Sequence, residues 1–168
     1  MDVDNVVTGN GGKEAYPHDH NRDWNDTPIY PEVAAAQRRL ASFIDDGRLS
    51  VFLDLHNPAA GDRTPFFFVG PPDLLSDAAR GHRDRFLSLA ARRIAGEFAL
   101  KPTPSIAGPG YHPLWRQRSD QWITDRGNPA TVAACLETPW NTPHSTTEGY
   151  RKVGRQLGRA VADFLADR

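Results

Sequence analysis

Two polar residues that could take part in catalysis lie at the predicted carboxyl ends of buried strands. His56 ends an apolar run that begins at Val51, and Glu137 ends a run of small and apolar residues that begins at Ala130. Imidazole can bind a metal or act as a base, and a carboxylate is costly to bury unless it is paired. Ligands of open α/β sheets gather beyond the carboxyl ends of strands. Both residues are therefore candidates for a site, although each could also make ordinary surface hydrogen bonds.

A third candidate group is the pair Asn21 and Arg22, within the polar segment 18–24. A guanidinium beside an amide suits two-pronged recognition of a carboxylate. The alternative is a solvated polar loop without a ligand. His18 and His20 are two residues apart, so in extended backbone they would share one face and could bind a metal. The spacing alone does not decide between these alternatives.

Hydrophobic patterning predicts helices and strands that alternate along the chain. Helices are predicted over 31–46, 74–98 and 146–166, and strands over 50–56, 64–69 and 130–137. The first helix opens with Pro and Glu and stops at Gly47, which is typical of a helix start and end. Stretches rich in Pro and Gly, at 8–31, 56–73 and 101–113, are predicted to be loops. Alternating helices and strands predict an α/β layer fold.

The composition is that of an ordinary soluble domain. The 168 residues carry 20 basic and 21 acidic side chains, for a net charge of −1, so we expect no nucleic-acid or membrane partner. The single cysteine, Cys135, excludes an internal disulfide, and its apolar strand predicts an inert core residue. The polar, acidic start at 1–5 is unlike a signal peptide. Together these features predict a cytoplasmic location.

Taken in order, the segments resemble the zinc carboxypeptidase family, and 11–31 is especially similar to bacterial members related to the cytosolic carboxypeptidases. The segment 19–24, Asp-His-Asn-Arg-Asp-Trp, resembles the family motif Asp-x-Asn-Arg followed by an aromatic residue. The segment 53–56 resembles the strand that ends in a zinc-binding histidine, and 134–139 resembles the strand that ends in the catalytic glutamate. The resemblance implies an α/β fold that forms the C-terminal portion of the family's mixed sheet flanked by helices.

The resemblance also implies roles for the candidate residues. His56 corresponds to the third zinc ligand, and Glu137 to the general base that activates zinc-bound water. Asn21 and Arg22 correspond to the pair that grips the C-terminal carboxylate of a peptide. Asp19 corresponds to the carboxylate that orients a zinc-binding imidazole. The implied activity is that of a zinc metallocarboxypeptidase, which removes a C-terminal residue from peptides with a free carboxylate.

Three departures from the family pattern accompany these matches. The His-x-x-Glu pair that supplies two zinc ligands would lie upstream, and no histidine precedes His18. No arginine precedes Arg22, so Lys13 is the nearest equivalent of the family's cationic oxyanion partner. Tyr111, before Trp122, is the nearest equivalent of the family's mobile tyrosine near the substrate.

Without the His-x-x-Glu pair, the family's zinc site would lack two of its three protein ligands. We expect residues 1–168 to form one partial catalytic domain that binds zinc weakly, hydrolyses peptides poorly and self-associates through exposed sheet edges. One alternative is a non-catalytic module that keeps Asn21 and Arg22 as a carboxylate clamp without zinc. Another is a structural α/β domain in which the motifs are coincidental.

Substrate specificity stays open at the level of the sequence. Asp120 lies near the position where the family forms its side-chain pocket, and a carboxylate there would favour basic C-terminal residues. Arg116 and Arg118 lie in the same segment and would favour acidic ones. The sequence does not decide between these two specificities.

Overall fold

The computed structural model of the chain describes residues 7–9 and 15–166, and these form a mixed sheet with helices on both faces. The strands are β1 (Val51–His56), β2 (Phe66–Val69), β3 (Ser105–Ile106) and β4 (Val132–Glu137). The longer helices are α1 (Pro31–Asp45), α2 (Asp77–Arg93), α3 (Ser119–Arg126) and α4 (Thr147–Ala166). Short 3₁₀ turns occur at His20–Arg22, Pro72–Leu74, Gly96–Phe98 and Trp115–Gln117.

The sheet has the strand order β1-β4-β2-β3 within the described residues. β4 lies inside the sheet, parallel to β1 and antiparallel to β2, and β3 pairs parallel with β2. Every residue of β4 is buried, whereas β1 is mostly half-buried and exposes 66% of Leu55. A strand covered on both faces is apolar in nearly every position, which explains the continuous apolar run of β4.

The two faces of the sheet carry separate hydrophobic clusters. One cluster joins the sheet to α2 and α4, and takes Val132, Ala134 and Leu136 from β4. The other joins the sheet to α1 and α3, and takes Ala133 from β4. Because successive side chains of a strand point to opposite faces, Cys135 and Glu137 share the face of Ala133. The same alternation puts Asp54 and His56 of β1 on that face.

Local sequence signals explain where the first two long helices begin and end. α1 has Pro31 at its first position, where the missing N–H costs nothing. It is followed by Gly47 at φ +66°, a left-handed conformation that glycine adopts readily. α2 begins after Ser76, whose side chain accepts a hydrogen bond from the Ala79 N–H.

The structure confirms the predicted α/β class and the mixed sheet flanked by helices, with several corrections to the elements. The predicted helix 74–98 is wrong at both ends, because 3₁₀ turns flank the shorter helix α2. The predicted strands over 64–69 and 130–137 each begin two residues later than expected. β3 and α3 escaped prediction, since two and eight residues are too few for a clear hydrophobic period.

The helices within residues 7–9 and 15–166 include none that could cross a membrane. None of them combines the length and the apolar character that a membrane-crossing helix needs. α4, with 20 residues, is the longest, and its apolar face packs into the cluster beneath the sheet.

An aromatic contact joins α2 and α4 inside the larger hydrophobic cluster. Phe86 is fully buried, and its ring packs edge-on against Phe164 with 5.7 Å between centroids. Phe86→Ala is expected to lower the free energy of unfolding by about 3–5 kcal/mol, because it removes buried area and leaves a cavity. Leu165→Ala is the control, since Leu165 is 43% exposed, and a change below about 1 kcal/mol is expected. Urea unfolding of both variants measures this, and equal losses would contradict the assigned core.

Candidate active site

A cleft of about 800 Å³ opens where β1 and β4 end. The side chains around it include most of the residues predicted from the sequence: Asn21, Arg22, His56, Tyr111 and Glu137, together with Phe68, Arg118, Cys135 and Trp140. His56 and Glu137 are register partners on neighbouring parallel strands. The cleft therefore forms at the carboxyl ends of strands, where α/β sheets usually bind ligands.

His56 is held by a carboxylate two residues earlier on the same strand. Its Nε2 atom lies 3.0 Å from Asp54 Oδ1. Burial by itself would raise the pKa of Asp54, but the hydrogen bond and charge of His56, aided by Ser119, hold that pKa below its usual value. Because an ionised carboxylate only accepts, the Nε2 atom carries a proton in this contact, and Nδ1 is the ring nitrogen that could offer a lone pair to a metal. This arrangement is typical of a metal-binding histidine oriented by a carboxylate.

Asn21 joins the 3₁₀ turn to this pair. The Ser119 N–H donates to Asn21 Oδ1 at 2.9 Å, which fixes the orientation of the amide. Asn21 Nδ2 then donates to Asp54 Oδ2 at 3.2 Å and lies 3.3 Å from His56 Nε2. The Ser119 hydroxyl also donates to Asp54. Segments far apart in the sequence thus share one polar network.

Arg22 presents its guanidinium beside the predicted substrate tyrosine. The side chain is 5% exposed, and Nη1 donates to the Asn21 carbonyl at 2.8 Å. Nη2 donates to the Tyr111 hydroxyl at 3.2 Å, and the guanidinium carbon lies 5.6 Å from the centre of that ring. The buried Nε finds no hydrogen-bond partner within the described part of the chain. A buried guanidinium with donor capacity to spare suits an anionic ligand.

The turn that carries Asn21 and Arg22 is fixed by two aspartates. Asp19 accepts a hydrogen bond from the Asn21 N–H at 2.8 Å, and so caps the 3₁₀ turn. Asp23 is fully buried and accepts from the Tyr30 N–H at 2.9 Å and from the Ile29 N–H at 3.2 Å. Both aspartates therefore hold the backbone that positions the Arg22 side chain.

Three further expectations for residues 13–20 have different outcomes. The predicted role of Asp19, to orient a zinc-binding imidazole, stays a prediction, and the predicted oxyanion partner Lys13 lies outside the described residues. His18 and His20 engage different carboxylates: His18 Nε2 lies 2.9 Å from Asp23, and His20 Nε2 lies 2.5 Å from Glu32. Each of the two histidines therefore has its own carboxylate partner.

Three chemically different donors lie together beside the cleft. One ligand-type atom from each of Asp54, His56 and Cys135 falls within 4.8 Å of the other two. Carboxylate oxygen, imidazole nitrogen and thiolate sulfur are all zinc ligands, so the donor set fits this metal. Burial, with nearby carboxylates, raises the pKa of the Cys135 thiol well above its usual range, and a metal would have to displace its proton. Sequence reasoning overlooked Asp54 and Cys135 as donors, although each lies two residues before a candidate on the same strand face.

Arg118 and Asp120 form a buried pair at the start of α3. Arg118 Nη2 lies 2.9 Å from each carboxylate oxygen of Asp120, and the side chains are 3% and 2% exposed. Burial raises the pKa of Asp120 to about 6, against the opposing effect of the Arg118 charge. Arg118 is among the residues that line the cleft, and Asp120 is not.

Comparison with solved structures identifies the architecture. A metallo-carboxypeptidase from Burkholderia cenocepacia superposes with a TM-score of 0.71 at 17% identity. A protein designated a carboxypeptidase from Burkholderia mallei ATCC 23344 superposes with a TM-score of 0.72 at 20% identity. The fold is that of the metallo-carboxypeptidases. Each match covers 96% of this chain and 42% of the other, so the chain spans less than half the length of those structures. No family model and no curated protein sequence matches the chain.

The buried Asp23 carboxylate is expected to make stability depend on pH. Burial by itself would raise the pKa of Asp23, but hydrogen bonds from His18 and from the Tyr30 and Ile29 amides hold it below 3.8. Asp23 therefore stabilises the fold above about pH 4, and this contribution is lost as pH falls through its lowered pKa. We expect Asp23→Asn to lower the free energy of unfolding by about 2 kcal/mol at pH 7.

Urea unfolding between pH 3 and pH 8 measures this effect. The difference between the wild type and Asp23→Asn should be constant near neutral pH and should shrink below about pH 4. Asp26→Asn is the matched control, because the Asp26 side chain is 87% exposed in its contact with Arg126, and little change is expected. A difference that grows on acidification would contradict the assignment.

Zinc binding to this chain is expected to depend on His56. His56→Ala should weaken zinc binding about tenfold or more, because the carboxylate-oriented imidazole is lost. His144→Ala is the control, since His144 is exposed and lies outside the cleft. Isothermal titration with zinc chloride measures both variants, and an equal effect of the two substitutions would contradict a metal site in the cleft.

Proposed function

We propose that this chain supplies the substrate clamp and general base of a metallocarboxypeptidase, which hydrolyses the C-terminal residue from peptides. The proposal is carried by the meeting of Arg22, His56 and Glu137 at one cleft. They come from three segments that lie far apart in the sequence. The likeness to carboxypeptidase structures supports the same reaction.

The clamp in this proposal is the Arg22 guanidinium with the Asn21 amide beside it. Arg22 is buried and rigidly hydrogen-bonded, so it can bind the terminal carboxylate of a peptide with little loss of side-chain entropy. The Tyr111 hydroxyl lies 3.2 Å from Arg22 Nη2, where it would contact the same carboxylate. A free carboxylate is then the feature that substrates share.

Glu137 is the general base in this proposal. It is 8% exposed, and its Oε1 lies 3.8 Å from Cys135 Sγ at the floor of the cleft. Such a position lets a carboxylate remove a proton from an attacking water molecule and return it to the leaving amine. His56 lies directly opposite on β1.

Zinc is the cofactor that this function implies. His56 would hold it, and Asp54 and Cys135 are the neighbouring donors that suit zinc. When bound, zinc polarises the scissile carbonyl and lowers the pKa of water. The chain spans 42% of the length of its structural neighbours, so full hydrolytic activity is proposed for a site that also contains the remaining part of the fold.

The clamp can be tested by binding without turnover. A fluorescein-labelled pentapeptide with a free C-terminus is expected to bind about tenfold or more tightly than its C-terminal amide, because the amide lacks the charged partner of Arg22. Arg22→Gln should remove this difference. Fluorescence anisotropy measures the affinity of both peptides for the wild type and for Arg22→Gln.

Two controls make the clamp test specific. Arg116→Gln should leave the preference intact, because Arg116 stacks on Trp115 outside the cleft. Glu137→Gln should also retain binding, since the base acts in hydrolysis. If free-acid and amide peptides bind the wild type equally, the proposed function fails. The alternative is the non-catalytic module. It would be favoured if a complete catalytic domain loaded with zinc binds the peptide but shows no hydrolysis that depends on Glu137.

A further inference from the structure

A second cavity, of about 150 Å³, lies at the opposite end of β4 from the cleft. Its lining includes Val132 and Ala133, the first residues of β4, and Gly70, which follows β2. The six residues of β4 span about 17 Å at roughly 3.3 Å per residue, so this cavity is separate from the cleft. Residues of α2 and α3 form its walls.

α2 presents one buried cation to this cavity. Ser76, Ala79 and Arg83 share one side of the helix, because residues three and four apart are neighbours, and all three line the cavity. Arg83 is 8% exposed. Its Nε donates to Asp84 at 3.1 Å and its Nη1 donates to the Gly70 carbonyl at 3.2 Å. Nη2 has no hydrogen bond within residues 7–9 and 15–166, and it is not among the fully buried atoms without a partner. This nitrogen therefore has donors to offer to a ligand in the cavity.

The carboxylates of the two helices lie outside the lining of the cavity. Asp84, which contacts Arg83, has a side chain that is 57% exposed. Asp77, at the start of α2, is 94% exposed and pairs with Arg80. Neither of these aspartates lines the cavity, and nor does Asp125 of α3. Arg83 is thus the only charged group among the described residues that line it, and an anion bound there would face no carboxylate in the wall.

A buried acceptor at the cavity wall, Gln121 Oε1, is covered by backbone. Gln121 donates its Nε2 to Asp125 at 2.6 Å, which identifies the other amide atom as the oxygen. That oxygen is fully buried and has no hydrogen-bond partner in the described part of the chain. A Cβ on Gly70 would lie only 2.2 Å from it, so the Gly70 backbone screens the oxygen from an anion in the cavity.

Further donors lie at two other sides of the cavity. Ser76 places the N-terminal end of α2 at the wall, where the helix dipole favours negative charge. The loop before β4 contributes Asn128, whose Oδ1 accepts from the Ala130 N–H at 2.8 Å, so that its NH₂ group remains as a donor. Donors from α2 and from this loop suit an anion with oxygens in several directions.

We propose that this cavity binds a phosphate group, with Arg83 as its charged partner. The inference goes beyond the proposed function and does not rest on it. A phosphate group carries about −1.5 to −2 charges at neutral pH and several acceptor oxygens, so it can meet Arg83, the first turn of α2 and Asn128 together. A carboxylate is planar and has fewer oxygens, so it would satisfy fewer of these donors. Free phosphate and a phosphate monoester share this chemistry.

The test is isothermal titration of the whole chain with sodium phosphate and, separately, with O-phosphoethanolamine, in about 0.15 M sodium chloride to screen nonspecific attraction. We expect saturable binding with a Kd of about 1 mM or lower, and the tighter of the two probes identifies the source of the phosphate group. Arg83→Gln should weaken binding about tenfold or more, because the charged partner is lost. Arg80→Gln should leave binding unchanged, since the Arg80 side chain is 45% exposed and lies outside the cavity.

The results that would overturn the proposal are equally specific. No saturable binding of either probe, or binding of acetate as tightly as phosphate, overturns the phosphate site. Binding that survives Arg83→Gln overturns the assignment to this cavity, and so does binding that Arg22→Gln removes, because the anion would then lie in the cleft. If thermal unfolding shows that Arg83→Gln is not folded, Ala79→Glu takes its place. A carboxylate one turn before Arg83 would occupy its donors and should weaken phosphate binding about tenfold, so unchanged binding overturns the proposal.

Discussion

The parallel pairing of β1 with β4 is the constraint on which the candidate site depends. Residue-by-residue register puts Asp54 beside Cys135 and His56 beside Glu137. A slip of one residue would move every one of these side chains to the opposite face, where α2 and α4 form the apolar core. The register is held by the apolar residues that alternate with them, notably Leu53, Ala134 and Leu136. Core packing and site geometry are thus two consequences of one pairing.

The polar network on the functional face explains how a short 3₁₀ turn can be placed accurately against the sheet. Asn21 bonds to the backbone of Ser119 on one side and to Asp54 on the other. Asp23, one residue beyond Arg22, is anchored to the backbone before α1. Buried polar groups are costly unless they are paired, so each contact also restricts where the turn can lie. The Arg22 guanidinium is therefore positioned before any ligand arrives.

Three charged groups in or beside the cleft have a partner of opposite charge. Asp54 supports His56, Asp120 supports Arg118 and Lys101 supports Asp62. Pairing of this kind limits the desolvation cost of burying charge and leaves one side of each group directed toward the cleft. Two guanidiniums on the Tyr111 ring then distinguish this cleft from a simple apolar pocket.

The sequence by itself determined the fold class, the strands that end in His56 and Glu137, and the motif that contains Asn21 and Arg22. Those features depend on local periodicity and on residue order, which a single chain displays directly. Only the tertiary structure decided that Asp54 holds His56, that Cys135 lies beside them, and that Arg118 rather than Asp120 or Arg116 lines the cleft. These outcomes depend on strand register and on the entry of α3 from a distant part of the chain. Contacts between residues so far apart leave no local pattern in the sequence, because their spacing is set by packing and not by the period of any helix or strand.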